Sequence, residues 1–255
     1  IELSTTYHQE VAELFDKVTD LAYRCRDEEL LDSLYIKKIE SLYEFLAKIS
    51  KPDGTIPAIN DGHPGDVKEL LSYAGDKYKR PDFTFVGSGY KKGKEPAYKS
   101  CELPDAGFYV MRTDWDSTAN YLLLDAGPFG SAHGHEDKLS FELYAFGKTF
   151  LVDPATYTYN EKDKYRYFFL RSSAHNTVII DGKSQARFWD RENWVYHEGN
   201  PNDNIWRSTN KYDYVEGTYK DGYGNYKERV DRSVNHVRKI LFVKPEYWVM
   251  SDIIE

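Results

Sequence analysis

The feature that most limits how this chain can fold is a change in the period of its apolar residues. From Tyr7 to about Ser50 they recur at helical spacing: Val11, Leu14, Phe15, Val18, Leu21 and Ala22, then Leu34, Ile36, Ile39, Leu42, Tyr43, Leu46 and Ile49. The spacing predicts two helices, with Ser4 or Thr5 as N-cap of the first and Lys51-Pro52-Asp53-Gly54 stopping the second. Val67, Leu70, Leu71 and Tyr73 predict a third, from Asp66 to about Ala74. From about Gly107 the pattern becomes short apolar runs separated by turn residues, at 107–112, 120–124, 139–146, 149–152, 176–180, 237–243 and 247–252. Strands in succession with no helices between them predict an antiparallel β-sandwich rather than a parallel sheet. The Lys-, Gly- and Pro-rich stretch from Gly75 to Ser100 reads as a linker, which places an α-helical domain over 1–98 and a β domain over 99–255.

Length and composition narrow the functional classes. With 255 residues, 40% of them hydrophobic, the chain can form one large or two ordinary domains with real cores, so general disorder is excluded. A net charge of -8 and a pI near 5.5 argue against nucleic acid, because phosphate contacts need clustered Lys and Arg. A locally basic cleft for a polyanion stays open. Cys25 and Cys101 are too few for a disulfide framework. No apolar run approaches the roughly 20 residues that span a bilayer. The start at Ile1 without Met and the closing strand near Ser251 predict a piece of a longer polypeptide.

The chemistry-bearing residues concentrate in one segment, Gly130-Ser131-Ala132-His133-Gly134-His135-Glu136-Asp137. Two histidines one residue apart share a face on a strand, or converge in a glycine-flanked loop. A solvated histidine pair explains them equally well in isolation. Asp153, after the run Leu151-Val152, and His175, before the next apolar run, add further donors at strand ends. A His, an Asp and a His so placed can supply three ligands to a tetrahedral Zn²⁺, leaving the fourth position for water. Asp153 before Pro154 also fits a turn initiator, and His175 a capping or core-edge residue.

The stretch GSAHGHEDKLSFELYAFGKTFLVDPATYTY (130–159), followed by RSSAHNTVIIDGKSQ (171–185), resembles the C-terminal region of the heparinase II/III family of polysaccharide lyases. ELSTTYH (2–8) resembles a segment late in that family's α-helical toroid, and KPDGTIPAIND (51–61) the loop closing it. The resemblance runs to about Gln185 and implies an α+β architecture, the C-terminal helices of an (α/α) toroid followed by a large antiparallel β-sandwich. It implies cleavage of a uronic-acid polysaccharide by β-elimination.

By that resemblance Tyr7 is the base, the acid at O4, or both, and His133 is a second catalytic group on the opposing domain. His135, Asp153 and His175 hold a metal, with Zn²⁺ expected and Ca²⁺ the alternative. Asp153 is followed by Pro154-Ala155-Thr156, where relatives commonly carry glycine in place of Ala155, a departure that bears on turn geometry. Arg171, Asn176 and Tyr159 are expected to meet the substrate. Tyr157, Tyr159, Tyr165 and Tyr167 form an aromatic-rich loop suited to sugar stacking or to plain strand edges. His8 adjoins Tyr7 but points elsewhere on a helix. The expected partner is an acidic polysaccharide, with no nucleic acid or membrane span, and a homo-oligomer is compatible. The location expected is periplasmic or secreted. Two other readings compete: a metal-dependent hydrolase, disfavoured because strands and helices do not alternate after His135, and a non-catalytic carbohydrate-binding fragment.

Overall fold

The computed structural model describes residues 3–26, 31–130, 133–185, 204–225 and 230–255. Its N-terminal part holds α1 (Thr5–Cys25), α2 (Ser33–Ile49), α3 (Lys68–Tyr78) and α4 (Pro81–Gly87). Ser4 occupies the N-cap of α1 without a side-chain cap, whereas the Asp32 carboxylate caps α2 by accepting from Tyr35 N at 2.7 Å. α3 runs past the expected end, and α4 lies inside the stretch read as a linker. Lys and Gly there obscured a helix whose Phe83 and Val86 are buried in the core.

The strands form two antiparallel sheets. One has the order β1 (Cys101–Leu103), β2 (Phe108–Arg112), β3 (Tyr121–Asp125), β4 (Phe141–Ala145) and β5 (Lys148–Leu151). The other runs β6 (Ile205–Ser208), β7 (Tyr212–Tyr219), β8 (His236–Val243) and β9 (Tyr247–Ile254). Within each sheet, neighbours in sequence are neighbours in space; most are joined by short turns, whereas the β3–β4 connection (126–140) and the β7–β8 connection (220–235) are long.

Alternation decides the layering. Phe108 and Val110 of β2, with Tyr121 and Leu123 of β3, pack against Tyr43, Leu46, Ile49, Leu71 and Phe83 of the helices. Tyr109, Met111, Leu122 and Leu124 point the other way, onto Val215, Tyr219, Ile240 and Phe242 of the second sheet. β2 and β3 are therefore buried on both faces and read as continuous apolar runs, whereas β7, with one face in solvent, alternates. The buried Arg112 reaches from β2 to the C-terminal end of α2, where its Nη2 donates to Ser50 O at 2.5 Å.

The expected strand at 176–180 does not form. Asn176 N donates to Ser140 Oγ at 3.1 Å, and Thr177 Oγ1 donates to Lys138 O at 2.7 Å, so side chains replace the ladder and the segment is a packed loop. α5 (Lys164–Leu170) lies inside the aromatic-rich loop, started by the Asp163 carboxylate accepting from Tyr165 N at 2.9 Å. Among the described residues no helix is long and apolar enough to cross a membrane.

Candidate active site and metal centre

Two loops from different parts of the fold meet at the site. The first follows α2 and is tied to the start of α1: Thr5 Oγ1 donates to Pro57 O at 2.6 Å, and Asn60 Nδ2 to Leu3 O at 3.2 Å. The second joins β3 to β4. Asp61 N donates to His133 O at 2.9 Å, and His135 N to Asn60 Oδ1 at 2.8 Å, so Asn60 and Asp61 hold the backbone on both sides of Gly134.

This pinning brings Tyr7, in the first turn of α1, over His133. Their rings stack with centroids 4.2 Å apart and planes 21° apart. Tyr7 Oη lies 3.0 Å from Tyr159 Oη, and the Tyr159 ring meets His133 edge-on at 6.3 Å. Burial, reinforced by the bond to Tyr7, pushes the Tyr159 hydroxyl above the ordinary tyrosine range. His8 turns inward, with Nε2 2.9 Å from Leu42 O, and burial lowers its pKa.

Behind this pair the other expected donors converge. His135, Asp153 and His175 are all buried and each offers one donor atom, all within 4.8 Å of one another. His175 Nδ1 lies 3.0 Å from Asp153 Oδ2, and its Nε2 3.1 Å from Phe169 O. Burial disfavours the His175 imidazolium, but the neighbouring Asp153 carboxylate outweighs it and pushes the group up to about 9. His135 is different. Its Nε2 is engaged by Asp61 Oδ1 at 2.9 Å, while its buried Nδ1 has no hydrogen-bond partner among the described residues. An orphaned imidazole nitrogen beside a second imidazole and a carboxylate fits a metal ion, since such a nitrogen otherwise carries a desolvation cost.

Asp61 and Arg166 are residues that sequence reasoning missed. The buried Asp61 carboxylate accepts from His135 Nε2, from Thr156 Oγ1 at 2.8 Å, and from Arg166 Nη1 and Nη2 at 2.6 and 2.8 Å. Burial opposes its ionisation, but Arg166 and His135 prevail and hold it well below the usual carboxylate range. The Arg166 guanidinium also lies 5.0 Å from the Tyr159 ring centroid. A lone Asp-Gly after Asn60 reads as a turn, and Arg166 gave no sequence signal because its helix was hidden in the aromatic stretch.

Tyr7, His133 and Tyr159 thus form one group, and His135, Asp153 and His175 another. Asn176 stands beside them, its Nδ2 donating to Phe141 O at 2.9 Å and Val152 O at 3.0 Å. Arg171 ends α5, and no contact joins its guanidinium to either group among the described residues.

The family model for the heparinase II/III-like C-terminal region matches residues 95–255, and that for the heparinase II/III N-terminus matches residues 1–80. The chain belongs to the heparinase II/III family. Among curated relatives of this heparinase II/III chain, the heparin-sulfate lyase of Pedobacter heparinus is 27% identical over 98% of the chain and 36% of the relative. That of Bacteroides stercoris is 28% identical over the same shares. The crystal structure of the heparan sulfate lyase HepC from Pedobacter heparinus superposes with a TM-score of 0.80 at 25% identity, covering 99% of this chain and 38% of that one. A second structure, described as heparinase III, has a TM-score of 0.75 at 17% identity and speaks for the fold alone. The heparinase II/III chain spans just over a third of the length of these relatives.

Proposed function

We propose that the protein containing this chain is a polysaccharide lyase that cleaves a uronic-acid polysaccharide by β-elimination. The observation that carries the reading is the stack of Tyr7 on His133, which sets a half-buried phenol from the helical part against a half-buried imidazole from the sheet part. The names of the relatives support a heparan- or heparin-type substrate. The helices are read as the closing turns of an (α/α) toroid and the sheets as part of a larger β-sandwich. A periplasmic or secreted location suits extracellular polymers.

Elimination breaks the C5–H bond, forms the C4=C5 double bond and expels the oxygen at C4, which takes up a proton. C5–H is weakly acidic, so a base must sit within about 3 Å of it and the uronate carboxylate must be stabilised as charge develops. Tyr7 Oη is assigned the proton abstraction and, afterwards, proton return to O4. Tyr159, whose hydroxyl lies 3.0 Å from that of Tyr7, is assigned the role of holding the Tyr7 oxygen in place. His133 is the second catalytic group, facing the sugar beside Tyr7. Arg171 is assigned to the substrate carboxylate. Asn176 has committed its amide hydrogens and is left with Oδ1 to offer a sugar hydroxyl.

His135, Asp153 and His175 would hold a divalent ion. Two imidazoles and one carboxylate suit Zn²⁺ better than Ca²⁺, which prefers oxygen ligands throughout. When bound, such an ion would fix the loops that present His133 and replace the proton shared by His175 and Asp153. Incubating the intact protein with heparan sulfate, hyaluronan, chondroitin and alginate, and following the absorbance of the new double bond, tests the reading. A rise on one of them is expected; no rise on any uronate polymer removes it.

A further inference from the structure

We infer that Asp61 is the positioning residue of this site, fixing the tautomer of His135 and fastening the helical loop to both catalytic groups. The inference rests on the proposed reading of His135 as a metal ligand.

An ionised carboxylate only accepts hydrogen bonds, so the 2.9 Å contact between Asp61 Oδ1 and His135 Nε2 requires the proton on Nε2. In the neutral ring that leaves Nδ1 bare, and Nδ1 is the nitrogen buried without a partner. The His135 and His175 rings stand 5.2 Å apart and each offers one donor to the cluster with Asp153; with Nε2 held by Asp61, Nδ1 is the nitrogen of His135 left for it. With the opposite tautomer, Nδ1–H would turn a proton toward the ligand cluster and two acceptors would face each other at Asp61.

The same carboxylate acts in a second direction. Its two-point bond to Arg166 holds the guanidinium against the Tyr159 ring, and Tyr159 is the hydroxyl partner of Tyr7. The backbone of Asp61 meets His133 as well. One side chain from the α2–α3 loop thereby sets the metal pocket and the two rings in front of it. A plain structural ion pair would need Arg166 alone.

The test uses the intact protein and Zn²⁺ as probe. In the metal-free wild type, ¹⁵N NMR of the His135 ring should show protonated Nε2 and bare Nδ1; a ring protonated on Nδ1 overturns the inference without any variant. Asp61→Ala should mix the tautomers and weaken Zn²⁺ binding by about 10–100-fold. Asp61→Asn keeps the Oδ1 acceptor and should recover most of that affinity and the tautomer. Arg166→Met should keep both. Wild-type tautomer and affinity in Asp61→Ala, or equal losses in Arg166→Met, would overturn the role given to Asp61. His135→Ala reports on the underlying reading: unchanged Zn²⁺ affinity there removes His135 as a ligand, and the metal-free tautomer still decides the case for Asp61.

Discussion

The ring of Tyr7 lies flat on that of His133, 4.2 Å between centroids, although the two come from opposite parts of the chain. Each limits the rotation of the other, so the pair is oriented before any substrate arrives. His133→Ala in the intact protein should lower kcat by about 10²–10⁴-fold. Because the two residues act as a unit, adding Tyr7→Phe should cost little more than either change alone. Steady-state rates of the two single variants and the double variant measure this; simple multiplication of the two losses would show that the rings work independently.

Asp252 governs part of the acid stability. It sits 2.7 Å from His236 Nε2 and from Arg238 Nε, and although burial opposes its charge, these neighbours hold it well below the usual range. A depressed carboxyl stabilises the fold at pH above its unfolded value of about 3.9 and loses that contribution as pH falls through the folded one. Asp252→Asn should therefore cost about 1–2 kcal/mol at pH 7, keep most of that cost at pH 3, and lose it only as pH falls further, through the depressed folded value. Denaturant midpoints across this range give the comparison.

Much of this architecture was legible because burial leaves a periodic mark. Val11 to Ala22 and Leu34 to Ile49 announced α1 and α2, and the apolar runs at 107–112 and 120–124 announced β2 and β3, which the structure shows covered on both faces. What escaped had no such mark. β7 carries Asp213, Glu216 and Gly217 among its aromatics, and α5 is started by an Asp163 cap inside a tyrosine-rich stretch. At the site, the histidines and Asp153 stood out through the family resemblance of the segments that carry them, since their spacing alone fitted turn and core-edge residues as well. Asp61 did not, since its role comes from four donors supplied by distant segments.

Ala155 occupies the left-handed region at φ 61°, in the turn where Ala155 N donates to Asp153 Oδ1 at 3.1 Å. A side chain there costs about 1–2 kcal/mol, which glycine escapes at the expense of a more flexible unfolded chain. Ala155→Gly should accordingly raise stability by up to about 1 kcal/mol, seen as a higher Tm with metal content unchanged.

Lys51 and Glu142 form a buried pair at 3.2 Å that ties the loop after α2 to β4, and Glu142 Oε1 also accepts from Ala58 N at 3.0 Å. Burial already pushes the Glu142 carboxyl up, so it depends on the ammonium to stay charged. Lys51→Met should destabilise the protein by about 3 kcal/mol, and the double change with Glu142→Gln by less, because no uncompensated charge then remains. Chemical denaturation of the single and double variants decides.

The proposed elimination turns on the Tyr7 hydroxyl. Removing that single oxygen in Tyr7→Phe leaves the ring stacked on His133, so the decisive measurement is the rate of double-bond formation by the intact Tyr7→Phe protein on whichever uronate polymer the wild type cleaves. A loss of at least about 10²-fold is expected, with an unchanged Tm and unchanged Zn²⁺ content. Turnover at the wild-type rate would contradict it.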